Sequence, residues 1–209
     1  MARTHAQSAQ DASTAPRLGL RDDGLRYGLV TRLLHWTMAL LFAWQFTGMA
    51  LRMALGRQPL VAFFVGTHGA IGALLMALAV LRALWGLYNL KHRPPHEHGL
   101  LGLAARLGHL ALYGLMLVVP LLALLRAHGS GRGLTVFGLP IVPGASEKVD
   151  WMVTAGNAAH GLLAWCLLGL VAGHVAMVII HRHVWKNDVL HRMAGRRVPG
   201  HRMAAVAAE

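Results

Sequence analysis

Between Asn157 and Arg182 the chain runs NAAHGLLAWCLLGLVAGHVAMVIIHR, with no Asp, Glu, Lys or Arg before Arg182. A run of that length and polarity is expected to cross a bilayer as a helix, because backbone polar groups must be satisfied internally where water is absent. Ahead of His181 at its end, two histidines interrupt the interior of the run, His160 and His174, fourteen residues apart. At ~100° per residue this spacing closes to within ~40° of a whole number of turns, so both project from one face. At ~1.5 Å per residue they stand ~21 Å apart along the axis, one towards each end of a ~30 Å hydrocarbon core. Gly161 and Gly173 adjoin them and remove side-chain bulk where a large planar group could approach. Ionisable side chains at membrane depth mark functional sites, and two on one stripe require partners at matching depths.

Three further apolar runs supply those partners. The first covers about 33–51, with His35 and Trp36 near its start; the second about 61–81, with His68 one third of the way in among glycines 66, 69 and 72. The third covers about 107–125, with His109 at its start and Pro120 towards its end. Only 13% of residues are charged, against about a quarter in a soluble domain, which excludes an ordinary soluble globule. The net charge of +12 would point to nucleic acid in a soluble protein, but here it sits in loops and tails between spans, as membrane topology dictates. No nucleic-acid partner is therefore expected. Cys166 is the sole cysteine, so no intrachain disulfide can form.

Residues 1–26 read as a polar N-terminal extension, expected to be flexible and without a secretory leader pattern. Residues 27–193 form the four-span domain and 194–209 a basic tail. A Gly-, Pro- and Ser-containing connection, 126–156, is expected to fold over one mouth of the bundle. Fifteen Lys/Arg fall in the N-terminal segment, the second loop and the C-terminal tail, and five in the other two loops. The positive-inside rule then places both termini in the cytoplasm. The fold expected is an all-α membrane protein, a four-helix bundle running up-down-up-down.

In that topology His35 and His174 share the cytoplasmic depth, and His68 and His160 the outer depth. A tetrahedral zinc site needs four ligands in one place, whereas these four histidines separate into two pairs, and no acidic residue lies within a span. Two imidazoles on opposite sides of one metal suit a six-coordinate haem iron, whose other ligands are porphyrin nitrogens. Filled axial positions favour electron transfer over O₂ binding. No C-x-x-C-H motif is present, so both haems are expected to be non-covalent, of b type. A single membrane histidine can equally serve packing or helix-to-helix hydrogen bonding, and His109 is read as interfacial. His92, His96 and His98 are read as a solvated basic loop rather than a metal cluster, and most tryptophans as an interfacial belt.

The segments RYGLVTRLLHW (26–36), FFVGTHGAIGALLMALAVLRALW (63–85), LGHLALYGLMLVVPLLAL (107–124) and HRHVWKNDVLHRM (181–193), with the histidine pair ahead of the last, resemble the bacterial cytochrome b561 family. The likeness covers about residues 26–193, in order, in all four spans. It implies an inner-membrane, di-haem b protein that exchanges electrons with quinone, with His35, His68, His160 and His174 as axial ligands. At least one member of that family resembles a superoxide:ubiquinone oxidoreductase. The N-terminal extension has no counterpart in the resemblance.

The expected function is transmembrane electron transfer through two haems between an outer donor, superoxide or a redox protein, and membrane ubiquinone. Quinone reduction consumes protons, and His181, seven residues beyond His174 on nearly the same face, is the candidate quinone-site residue, with Trp185 and Lys186 behind it. The same HRHVWK run also suits a cationic and aromatic anchor at the lipid headgroups. Arg52, Arg57, Arg126, Arg132 and Lys148, offset by Glu147 and Asp150, would make a positive outer mouth able to steer an anion, and read equally well as ordinary loop charges. A cytochrome b subunit relaying electrons between quinol and a separate dehydrogenase or soluble cytochrome shares every ligand. A histidine-lined metal transporter is the distant alternative, and would call for membrane carboxylates that the spans lack.

Overall fold

The structure, a computed structural model, describes residues 19–24, 26–93, 99–136, 138–186 and 189–194. Four long helices carry the fold: α1 (Leu29–Leu55), α2 (Pro59–Tyr88), α3 (Gly99–Gly129) and α4 (Asp150–His183). Each is long and apolar enough to cross a membrane, so the chain is a four-helix membrane bundle. A two-stranded hairpin, β1 (Leu134–Val136) and β2 (Leu139–Val142), lies between α3 and α4, and a short helix, α5 (Val189–Met193), follows α4.

The helices are longer than the apolar runs that announce them. α1 has 27 residues and α4 has 34, whereas the first apolar run spans only about 33–51. Hydropathy marks the part that meets hydrocarbon; the hydrogen-bond ladder continues into the interface until something stops it. After α1 the stop is Gly56, in the left-handed region at φ 69°, followed by Pro59 at the first turn of α2. α4 begins with Asp150 in its first turn and ends with His181, Arg182 and His183 in its last, an order that matches the helix dipole.

The 126–156 connection shrinks accordingly, since α3 runs to Gly129 and α4 starts at Asp150. Within it β1 and β2 pair antiparallel, Leu134 with Val142 and Val136 with Leu139, with an irregularity after Leu134. β1 rests on α2 and α3, and Leu134 Cδ1 fills the space where a side chain at Gly69 would start, 3.3 Å from that Cβ position. One end of the bundle is thus covered beside His68. We call it the hairpin end, and the opposite end the base.

Two close helix pairs make the bundle. In α1–α2, a Cβ at Gly48 would lie 2.9 Å from Phe64 Cβ, and the Trp44 indole N–H donates to Thr67 Oγ1 at 3.0 Å. In α3–α4, Gly156 lies against the Arg126 stem, where a Cβ would meet Arg126 Cβ at 2.5 Å. α2 also approaches α3, but the backbones of α4 and of α1 or α2 stay apart. What fills the centre is one apolar layer: Met38, Leu75, Ala79, Met116 and Leu167, one or two from each helix, with Phe42, Phe46, Ile71 and Tyr113 packed around it. Leu167 lies midway between His160 and His174 in sequence, seven residues from each. That layer therefore separates the two histidine levels.

Of the N-terminal extension, residues 19–24 and 26 are described, and they are tied to the base. Asp22 is 3% exposed. Its Oδ1 accepts from the Gly28 backbone N–H and the Thr31 hydroxyl, both at 2.8 Å. Thr31 Oγ1 in turn accepts from the Trp85 indole N–H at 3.0 Å, so strap, α1 and α2 are stitched together. Gly24 N–H donates to the His92 carbonyl (2.8 Å) and Tyr27 N–H to the Arg192 carbonyl (3.3 Å). Residues 1–18 and most of the C-terminal tail lie outside the described residues.

Candidate haem sites

At the base, His35 of α1 and His174 of α4 face each other with ring centroids 6.3 Å apart and planes at 69°. At the hairpin end, His68 of α2 and His160 of α4 do the same at 6.1 Å and 74°. Above and below the apolar layer, these imidazole contacts join α4 to α1 and α2, whose backbones keep their distance from it. The fourteen-residue spacing on α4 sets the ~21 Å axial interval between the levels.

The donor geometry fits a metal held between each pair. A metal–nitrogen bond of about 2.0–2.1 Å plus about 1.1 Å from nitrogen to ring centroid puts two opposed imidazoles roughly 6.3 Å apart. Nδ1 of His35 and Nδ1 of His68 are buried with no hydrogen-bond partner among the described residues. His160 Nδ1–H donates to the Val119 carbonyl at 2.9 Å, just before Pro120, which fixes its tautomer and leaves the Nε2 lone pair available to a metal. Beside the α4 histidines, a Cβ at Gly161 or Gly173 would meet nothing within 4 Å. Imidazole pairs, open flanks and an apolar surround suit a planar macrocycle.

α1 adds a further neighbour to the hairpin-end pair. Gln45 Nε2 donates to the His68 carbonyl at 3.0 Å and lies over Gly72. At the base, the Trp36 ring sits 5.3 Å from His35. The pair at the base has a further neighbour: the ring of His109, expected at the interface, lies 5.5 Å from that of His174. His109 Nδ1–H donates to the Ala105 carbonyl at 2.6 Å. Its depth, at the start of the third apolar run, was the signal available; its direction depends on how α3 turns against α4.

His181 stands in the last turn of α4, its ring 4.6 Å from Trp185. Lys186 follows in the left-handed region at φ 53°. Both lie at the base, where the chain turns from α4 towards α5. His92 is an exposed member of a short 3-10 turn, and His96 and His98 lie outside the described residues. At the hairpin end, Arg126, Ala127, Ser130 and Arg132 line a cavity of about 270 Å³. Arg126 Nη1 donates to Asn157 Oδ1 at 3.4 Å, one turn before His160, and its charge reaches His68. Lys148 is paired instead with Asp150 at 2.7 Å.

Residues 26–196 match the family model described as prokaryotic cytochrome b561. The chain is 31% identical over 180 residues to cytochrome b561 homolog 2 of Escherichia coli K12, covering 82% of this chain and 92% of that protein. It is 25% identical over 167 residues to a protein of Yersinia pestis named probable superoxide oxidase CybB, covering 78% and 93% respectively. To cytochrome b561 homolog 1 of Escherichia coli K12 it is 26% identical over 174 residues, covering 78% and 94%. With its matching span running from the start of α1 through α5, this chain belongs to the prokaryotic cytochrome b561 family.

Proposed function

We propose that the chain moves electrons through two bis-histidine b haems, from superoxide at the hairpin end to ubiquinone near the base. As a family member it is a bacterial membrane protein that uses b-type haem for transmembrane electron transfer. The observation that carries the finer reading is the pair of histidine–histidine contacts, 6.3 and 6.1 Å, at two levels of one bundle. His35 and His174 would hold one haem and His68 and His160 the other, each supplying a one-electron iron couple. Fifteen Lys/Arg on the base side against five on the other support an inner-membrane orientation with both termini cytoplasmic.

The chain's own residues define what each end can do. Around the hairpin-end pair, the hairpin and Leu134 limit access, leaving the Arg126–Arg132 cavity as the cationic approach. Two superoxide anions would each give up one electron there and leave as O₂. At the base, one quinone would take those two electrons and two protons. His181, with Trp185 beside it and Lys186 following, supplies an imidazole at the membrane interface for that proton delivery. The name of the Yersinia relative supports superoxide as donor.

In proteoliposomes containing ubiquinone, superoxide generated outside should reduce the haems and form quinol. Arg126→Gln combined with Arg132→Gln should slow haem reduction by superoxide about tenfold at low salt and flatten its salt dependence, as loss of electrostatic steering requires. A rate equal to wild type would remove the cavity from the mechanism. Haem-loaded protein that superoxide does not reduce would exclude superoxide as donor.

A further inference from the structure

The base holds a cluster of cations that the histidine pairs do not account for. Arg82 of α2 and Gly86 lie one turn apart on the same helix face. The Arg93 guanidinium lies on Gly86, occupying the space a Cβ there would need. Arg192 of α5 comes from the far end of the chain and meets Tyr27 through its carbonyl. The charges of Arg82, Arg93 and Arg192 all reach the Tyr27 phenol, and one carboxylate, Asp22, accompanies them. Burial pushes that phenol above its usual pKa, which keeps it protonated as a donor.

Among the described residues, three guanidiniums are thus answered by one carboxylate, and one of its two oxygens is already engaged. Asp22 accepts from Gly28 and Thr31, and its other oxygen is 3.8 Å from Arg93 Nε, beyond hydrogen-bonding reach. Nε of Arg93 and Nε of Arg192 are buried with no hydrogen-bond partner among the described residues. Arg82 has no carboxylate partner among them; its guanidinium carbon sits 5.9 Å from the Tyr113 ring centroid. Buried guanidinium N–H groups without acceptors, as at Arg93 Nε and Arg192 Nε, are expensive, and planar forks match carboxylates. An anion is the missing component.

Arg82 says which anion. It lies within α2, on the bundle side of the cluster, and its charge reaches His35 and His174 as well as Tyr27. It therefore spans the gap between the base histidine pair and the outer arginines, where a lipid phosphate would stay with Arg93 and Arg192. We infer that Arg82, Arg93 and Arg192 form a carboxylate-binding site for the acidic side chains of the base-side haem. The assignment rests on the two-haem reading above.

The test is a spectroelectrochemical titration of detergent-purified full chain, with haem counted first and the base-side wave identified by its loss in His35→Ala. Arg82→Gln should shift that wave to lower potential, because a lost cation favours the ferric form. A tenfold drop in the ferrous-to-ferric ratio corresponds to about 59 mV for one electron. Arg192→Gln should shift it in the same direction, Arg82→Lys less, and the hairpin-end wave should stay in place in all three. Propionate bending bands in resonance Raman spectra should move with the potential. If Arg82→Gln does not accumulate, Arg192→Gln decides alone. Two haems with both potentials and Raman bands unchanged would overturn the carboxylate site, and so would loss of co-purified phospholipid without a haem effect. A wild type with fewer than two haems would instead overturn the two-haem function itself.

Discussion

Purified His174→Ala is expected to carry about one haem per chain where the wild type carries about two, with the hairpin-end haem intact. The reciprocal variant, His68→Ala, should keep the base-side haem and lose the other. The reason is geometric. α4 meets α1 and α2 through two separate imidazole contacts, His35–His174 and His68–His160, with Met38, Leu75, Ala79, Met116 and Leu167 packed between the levels. Losing one ring opens one site, and the apolar layer isolates the other. Either variant should cut superoxide-driven quinol formation to background, since each interrupts a series path. His109→Ala, by contrast, should retain both haems, because His35 and His174 already oppose each other while His109 approaches from the side of His174. Reduced-minus-oxidised optical spectra with haem quantitation read all three. Equal haem content in His174→Ala and wild type would remove His174 as a ligand.

Asp22→Ala should release the N-terminal strap and lower stability by about 3 kcal/mol, the size expected when a buried acceptor of several bonds is removed. The carboxylate is 3% exposed and holds the Gly28 N–H, the residue that caps α1, together with the Thr31 hydroxyl. Its loss strands both donors and removes a carboxylate 3.8 Å from Arg93 Nε. Thr31 would remain tied to Trp85, so α1 and α2 should stay paired while the segment from Gly19 to Gly28 loosens. Asp22→Asn, which keeps an acceptor oxygen, should be milder. Thermal unfolding in detergent, with protease cleavage mapped near residues 19–28, measures both effects. An Asp22→Ala protein with wild-type melting and no new cleavage would show that the strap is held by other contacts.

Much of the bundle is legible because lipid imposes a simple code. Long uncharged runs have to be helices, and the positions of basic residues orient them. The spacing of His160 and His174 is likewise local arithmetic on one helix, and their depth partners follow from where His35 and His68 sit along theirs. What hydropathy does not encode is azimuth and loop path. His109 could be placed at the right depth from sequence, but its approach to His174 depends on how α3 turns against α4. Arg93, Arg192 and Asp22 lie in loops or beyond the last span, where no periodicity applies. In sequence they read as scattered charges; in the structure the charges of all three reach Tyr27. The hairpin was hidden for a related reason, since strands of three and four residues leave too short an alternation to read.

The central claim is two bis-histidine b haems per chain, and haem quantitation combined with low-temperature EPR of the oxidised, detergent-purified protein tests it most directly. Two b haems per chain with low-spin ferric signals and no substantial high-spin signal is the result the histidine pairs predict. A protein expressed with ample haem that carries none, or a single predominantly high-spin haem, would contradict the assignment of His35, His68, His160 and His174 as axial ligands.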